Sequence, residues 1–420
     1  MRLSVFVTIS ILGLQFGSTI LVSISSTGEQ GNGESRFPSV STDGKVVAFE
    51  SYASNFSPRE NDYTDVFVRD LVSGETKIIS KSSSGAFGNA RSFSPQISAN
   101  GRYVAFVSYA SNLVSGDTNS YADVFVHDIQ TGETSRVSIS SFGEQGNNHS
   151  GLFGLDISAD GRYVVFESYA NNLSHDNSNG IFVHDRLTKK TTKVSVSSTG
   201  QSAYASFPSI SANGRFVSFV SWSSIFVAGD TNGFADVFVH DRLTKVTTRI
   251  SVSSDGAQGN SWSYFSTISA DGRYVVFQSY ASNFVVNDTN NVSDVFVHDR
   301  RTGETTRISV SSTGEEGNGA SGTDGSLGIS DDGRFVAFNS LASNLVSSDT
   351  NSPSDVFIYD RINHRTLLVS VSSSGEQGNG ESGGVSLSGN GTFVAFQSEA
   401  SNLVPGDKNG YQDVFLRRVK

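Results

Sequence analysis

The sequence predicts an all-β chain folded as a seven-bladed β-propeller, four antiparallel strands to a blade, with the ring closed by an N-terminal strand that completes the last blade. Three observations carry this expectation. The string DVFVHD stands at Asp123, Asp236 and Asp294 and recurs as DVFVRD at Asp65, GIFVHD at Gly180, DVFIYD at Asp355 and DVFLRR at Asp413, so successive starts lie 58, 57, 56, 58, 61 and 58 residues apart. A fixed period of this kind marks a repeat architecture and leaves no unassigned stretch for a separate catalytic domain. The composition agrees, since 42 Gly, 30 Phe and only 17% charged residues, with Ser, Val and Thr in excess, suit strands and turns better than helices. Finally, the seventh unit stops at its third strand, Asp413-Val414-Phe415-Leu416, whereas Thr19-Ile20-Leu21-Val22-Ser23-Ile24-Ser25 matches the fourth strand of other units, such as Thr306-Arg307-Ile308-Ser309-Val310-Ser311.

Each unit divides into four strand-like runs, seen most clearly in the second. Residues 93–98 form the first, and Ala99-Asn100-Gly101 supplies a short turn of the kind hairpins use. Residues 102–108 form the second, where Tyr103-Val104-Ala105-Phe106-Val107 is apolar on both faces, as suits a strand packed between two sheets. A long loop, 109–122, leads to the third strand at 123–128, and Ile129-Gln130-Thr131-Gly132 turns the chain into the fourth at 133–140. Four antiparallel strands at this period make a propeller blade. A borrowed strand leaves no unpaired edge between first and last blades. An open solenoid would instead carry atypical capping repeats, and the sequence has none.

These residues also carry a family resemblance. The segments ISADGRYVVF at Ile157 and Ile268, DVFVHDRLTK at Asp236 and DVFVHDRRTGETTRISV at Asp294 resemble the S-P-D-G, I-A-F, D-I-Y and T-G landmarks of TolB-like, WD-repeat-like bacterial β-propellers. Ala or Thr stands where Pro is common before Asp-Gly, and the loop between the second and third strands is longer. The resemblance implies the propeller fold. It implies no particular activity, because propellers host many.

A net charge of −11 argues against nucleic acid as a partner, since that affinity rests on Lys and Arg neutralising phosphates; cations and metal ions fit better. Without cysteine there is neither a disulfide framework nor a thiolate site. Met1-Arg2, the apolar run from Leu3 to Leu14 and Gln15-Phe16-Gly17-Ser18 follow the order of a secretory signal peptide. The expected organisation is therefore a leader over 1–18 and one propeller over 19–420, periplasmic or secreted. No stable membrane span is expected, because the segment from Ile20 onward belongs to the repeat. A monomer is expected.

In a four-stranded meander the loops between strands two and three emerge on the same side as the links from strand four to the next blade, so both long segments share one face. Loops on a rigid scaffold usually supply ligand contacts, which favours that face. Its loops repeat a D-x-N-x-x-x-D pattern: Asp117, Asn119 and Asp123; Asp230, Asn232 and Asp236; Asp288, Asn290 and Asp294; Asp349, Asn351 and Asp355; Asp407, Asn409 and Asp413. Carboxylate and amide oxygens in this alternation suit a hard cation such as calcium. The same residues equally suit Asx-turns that shape the loop and pin the entry to strand three. The first unit offers only Glu60, Asn61, Asp62 and Asp65, and the third Asp176, Ser178 and Asn179 before Gly180, so these two blades are expected to bind metal weakly or not at all.

The Gly-rich links, Gly28-Glu29-Gln30-Gly31-Asn32 and relatives at Gly143, Gly256, Gly314 and Gly375, read as structural turns. Tyr52, Tyr109, Tyr169, Tyr280 and Trp222 follow strand two and are expected to pack beneath the loop, with stacking on a carbohydrate or peptide as the other reading. His127, His184, His240 and His298 share one repeat position, which marks a blade feature and not a unique acid or base. Gly380-Glu381-Ser382-Gly383-Gly384 matches G-x-S-x-G without the strand-turn-helix context that exposes a nucleophile. The expected function is an exported scaffold that binds a protein, peptide or glycan on the long-loop face, with calcium ordering the loops as one option. The alternative is a lyase- or glycosidase-type enzyme with acidic residues at the channel mouth.

Overall fold

The computed structural model of the chain describes residues 13–57 and 63–420. It contains seven four-stranded antiparallel sheets, six of them formed from consecutive strands. The second blade consists of Ser92–Ile97, Tyr103–Ser108, Asp123–Asp128 and Thr134–Arg136. Its fourth strand is shorter than expected, because after Val137, whose N–H still donates to Val124 O of the third strand, the chain folds into its own turn, in which Ser140 N–H donates to Glu144 O.

The seventh blade holds Ser382–Leu387, Phe393–Ser398 and Asp413–Arg418, and its outer strand is Thr19–Leu21 from the other end of the chain. Thr19 pairs with Arg417, Ile20 with Leu416 and Leu21 with Phe415. Arg417 also donates to Gly17 O and Thr19 Oγ1. The expected leader, 1–18, lies mostly outside the described residues. Of the part that is described, Leu14 is buried and its carbonyl accepts from Arg418. No helix among the described residues is long and apolar enough to cross a membrane.

Second and third strands are apolar on both faces because both faces meet neighbouring sheets. Val124 and Val126 of blade two share a core cluster with Val164 and Phe166 of blade three, and Phe106 stacks on Phe125 within its blade. The four histidines are buried in third strands. Each bonds a fourth-strand threonine, as His127 Nδ1 does Thr134 Oγ1 at 2.9 Å, and that hydroxyl donates to a carbonyl of the preceding blade's link. Burial pushes these imidazoles down to about 4, so they are neutral struts between blades.

On the tight-turn side the blades lock through a repeated sandwich. Tyr103, which opens the second strand of blade two, lies between Arg102 of its own blade (4.9 Å) and Arg186 of the next (4.4 Å), and Arg186 donates to Gly161 O at 2.6 Å. Tyr163 lies likewise between Arg162 and Arg242, Phe216 between Arg215 and Arg300, and Tyr274 between Arg273 and Arg361. Phe335 has Arg334 and Lys420. Arg102 is held in place by both oxygens of Asp128, at 3.0 and 2.7 Å, and its hydrogen bond pulls that carboxyl down to about 2.

Candidate binding site at the channel mouth

First strands line the central channel, and on the long-loop side they are interrupted. Their register against the second strand shifts between Arg36 and Ser39, Phe93 and Gln96, Ser206 and Ser209, and Tyr264 and Ser266. Within these bulges Phe37 (φ 49°), Ser94 (φ 51°), Phe207 (φ 53°) and Phe265 (φ 41°) adopt left-handed backbone. Each such residue other than glycine costs on the order of 1–2 kcal/mol, and a bulge re-aims the side chain it carries. Here the side chains line a cavity of about 410 Å³ at the channel mouth, joined by Phe153, with Asp324 and Gly325 contributed by blade six.

The rings make one continuous arc across blades three to five. Tyr204 stacks on Tyr169 at 5.4 Å, Tyr169 meets Phe153 at 6.1 Å, Phe153 meets Phe207 at 6.2 Å, and Phe207 meets Phe265 at 4.7 Å. Tyr264 and Trp222 extend it at 6.1 and 5.9 Å. Farther round, Arg91 stacks over Phe93 and Tyr109, and Arg36 over Phe37 and Tyr52.

The aromatic residues after strand two do not pack beneath the loop as expected. Tyr52 is 44% exposed, Tyr280 46% and Trp222 50%, while Tyr109 and Tyr169 are half-buried. The space below is filled by the residues that follow, such as Ala110 and Leu113, which lie against Gly88 of the link. The links themselves are structural, as expected: Asn89 N–H donates to Asn112 Oδ1, and Asn112 donates back to Phe87 O.

Polar residues that differ from blade to blade surround the mouth. Gln397 Oε1 accepts Phe37 N–H at 2.8 Å, Glu50 accepts Ser94 N–H at 2.9 Å and Arg36 Nε at 2.9 Å, and Asp324 accepts Gly384 N–H at 2.6 Å. They satisfy the donors that the bulges leave over. Glu167 is buried, has no cation beside it among the described residues, and accepts from Tyr204 Oη at 3.3 Å; burial pushes it up to about 7. Deeper in the channel Asp156 accepts Ser209 Oγ and Ile210 N–H, both at 2.9 Å, and burial pushes it up to about 6. Sequence reasoning missed Glu167, Asp156 and the bulge phenylalanines, although their departure from the repeat consensus was a usable signal.

The Asp and Asn loop residues lie away from the channel, each set against the link that leaves its own blade. In blade two Gln145 Nε2 donates to Asp117 at 2.8 Å and Asp123 at 3.0 Å, Ser138 donates to Asp123 at 2.5 Å, and Arg136 lies 3.4 and 3.3 Å from the two carboxylates. Asn119 closes an Asx-turn on Tyr121 N–H and donates to Gly146 O. Blade four repeats this with Asp230, Asn232, Asp236, Gln258 and Arg249. In blade five Glu316 replaces the glutamine, so Asp288, Asp294 and Glu316 crowd around Arg307, with Asn290 donating to Asp294. Burial and these carboxylates push Asp288 up to about 6. Blades six and seven keep the glutamine: Gln377 bridges Asp349 and Asp355, and Gln30 bridges Asp407 and Asp413, with Asn409 also on Asp413. There Leu368 and Leu21 stand where Arg136 stands in blade two. Residues 60–62 of the first unit lie outside the described residues; Asp176 of the third is taken up by Ser174, Ser178, Ser202 and Lys193. Ser382 of the G-x-S-x-G match is buried at a strand start, bonded to Ser398.

No protein-family profile matches the chain, and no curated protein matches it by sequence. Among solved structures it is similar to the β-propeller domain of the Trilobed protease from Pyrococcus furiosus, at 11% identity over 92% of this chain and 95% of that one, with a TM-score of 0.57. An oligogalacturonate lyase from Vibrio parahaemolyticus is 12% identical over 97% and 99% of the two chains, with a TM-score of 0.56. TolB from Acinetobacter baumannii is 15% identical over 67% of this chain, which spans 55% of that protein's length, with a TM-score of 0.40. What the protease domain and the lyase share with this chain is the fold. A domain of a protease and a lyase stand side by side there, so function is read from the site.

Proposed function

We propose that the chain is an exported propeller module that captures a glycan or a peptide segment, free or on a protein surface, at the long-loop mouth of its channel. The seven-ring arc from Tyr204 to Trp222 carries this reading. Planar rings that remain partly open to solvent stack on sugar C–H faces or on apolar side chains, and such anchors dominate binding energy. Backbone strain held at the same ring-bearing positions fits a site set up for a ligand. Tryptophan fluorescence tests it, since the chain has two tryptophans and Trp222 ends the arc. A panel of oligosaccharides and peptides should contain a ligand that perturbs emission, and Trp222→Ala and Phe153→Ala should each weaken it about tenfold or more. Binding untouched by both substitutions would move the site elsewhere. Export rests on the leader pattern of residues 1–18, and recovery of the chain only from the cytoplasm of its host would remove it.

The enzyme reading, a lyase or glycosidase, draws on Asp156, Asp324 and Asp331, which line the channel and its mouth. Asp156 and Asp324 are already spent on backbone N–H groups, and among the described residues no Lys, Arg or His lines that space, Arg36 and Arg91 standing at its rim. Cleavage of a bound glycan that is lost in Asp156→Asn would establish it.

Calcium ordering of the loops is best supported in blade six. Pro353 has no N–H to cap Asn351, whose Oδ1 is buried without a partner, and Leu368 leaves Asp349 and Asp355 without the guanidinium present in blade two. Calcium should raise the melting temperature of the native chain and fail to do so in Asp355→Asn. An equal rise in both would place any calcium elsewhere.

A further inference from the structure

One of the seven seams between blades lacks the ring of the sandwich, and in a second, between blades seven and one, the ring of Phe393 has Thr392 and Leu71 at the positions of the two guanidiniums. Between blades one and two, Val46 stands where the other seams have Tyr103, Tyr163, Phe216, Tyr274, Phe335 and Phe393. Ile129 follows the third strand of blade two where Arg186, Arg242, Arg300 and Arg361 follow the next four. Lys45 replaces the arginine of the tight turn and pairs with Asp43 at 2.8 Å, away from Asp70. Among the described residues the Asp70 carboxylate therefore keeps only the N–H groups of Val72 and Ser73, whereas its counterparts Asp128, Asp185, Asp241, Asp299 and Asp360 each hold a two-pronged guanidinium.

These replacements leave a void of about 250 Å³, lined by Val46, Val68, Ile79 and Ile129, with Asp70 on its wall. The turn glycine is pressed less closely at this seam than at the next. A Cβ on Gly161 would lie 2.1 Å from the Tyr103 ring, but one on Gly101 would lie 3.3 Å from the nearest atom of Val46. At the other end of the void His127 is engaged by Thr134, and Lys77 is paired with Glu75 at 2.6 Å; Lys81 completes the charged groups there.

The geometry points to a small-molecule site in this seam for a planar aromatic cation, a ligand that supplies the ring and the guanidinium-like group that blades two to six supply from their own side chains. The ring fills the apolar part between Val46 and Ile129, and the cation reaches Asp70. Burial of an aromatic face with a paired charge is the same chemistry that holds the sandwiched seams. The site lies on the tight-turn side and is independent of the channel mouth.

Benzamidine is the probe, titrated calorimetrically into the full chain, with benzyl alcohol as the uncharged ring and methylguanidine as the ringless cation. Saturable one-to-one binding of benzamidine in the millimolar range or tighter is expected, with each control weaker by about tenfold. Val46→Tyr, which puts the ring back, should abolish binding and raise the melting temperature. Ile129→Arg should do the same by a different substitution if the first variant fails to fold, and Asp70→Asn should lower benzamidine to the level of benzyl alcohol. No saturation in the millimolar range, or unchanged binding to a folded Val46→Tyr or Ile129→Arg chain, overturns the site. Trp222→Ala should bind benzamidine as the native chain does.

Discussion

At the scale of single residues, the turn glycines separate into two kinds that share one backbone conformation. Gly132 has φ +76° with open space around its Cα, whereas Gly161 has φ +75° and presses on the ring of Tyr103. In Gly132→Ala only the left-handed backbone is penalised, about 1–2 kcal/mol. In Gly161→Ala a methyl group also falls 2.1 Å from Tyr103 Cδ2, inside a ring already fixed between two guanidiniums. Overpacking of this kind adds about 1–3 kcal/mol. Urea unfolding of the two variants should therefore show Gly161→Ala the more destabilised by roughly that margin, and equal midpoints would mean that the sandwich yields freely. The same contact gives the glycine of this turn a role in the neighbouring blade, while the arginine that follows it in five of the seven blades stacks on the ring of its own.

At the scale of strands, legibility followed the strength of the local signal. Second and third strands, with Val and Phe on both faces, were placed at the right residues, and the tight turns announced themselves through Asp-Gly. First strands were legible as strands but not as bulged ones, because Arg36-Phe37-Pro38 and Ser206-Phe207-Pro208 carry no glycine where the backbone turns left-handed. What holds them there comes from a neighbouring blade, as with Gln397 on Phe37 N–H and Glu50 on Ser94 N–H, and such a partner is hundreds or tens of residues away in the chain. The Asp and Asn pattern was legible as a motif but not in its setting. Its partners Gln145, Arg136 and Ser138 lie in the following strand and link, where nothing in the spacing marks them as acceptors' counterparts. The candidate site thus escaped the sequence where it depends on contacts between blades.

At the scale of the whole molecule, ring closure joins the two described ends of the propeller and makes seven similar blades one cooperative body. In a linear array each blade touches only its neighbours and stability is a sum of local terms; in the ring every blade has two neighbours. Closure rests on Thr19–Leu21 and on Ser23, whose hydroxyl donates to Asp413 at 2.5 Å and accepts Val414 N–H. Asp413 is buried, and that burial pushes its carboxyl up to about 6 despite the donors it has. A carboxyl raised in the folded state holds its proton there at pH values where the unfolded chain has lost it, so its contribution to stability falls as pH rises from about 4 to about 6. Ser23→Ala removes one of those donors and should raise the Asp413 value further. The variant should lose about 1–3 kcal/mol, and the loss should grow between pH 5 and pH 7. Deleting residues 1–22 removes the strand altogether and bares the edge of Asp413–Arg418. Calorimetry of that deletion should show a lower and broader transition, with dimers forming through the open edge at high concentration. A deletion that melts as sharply and as high as the intact chain would mean that blade-to-blade packing alone carries the cooperativity, and that the borrowed strand only covers an edge.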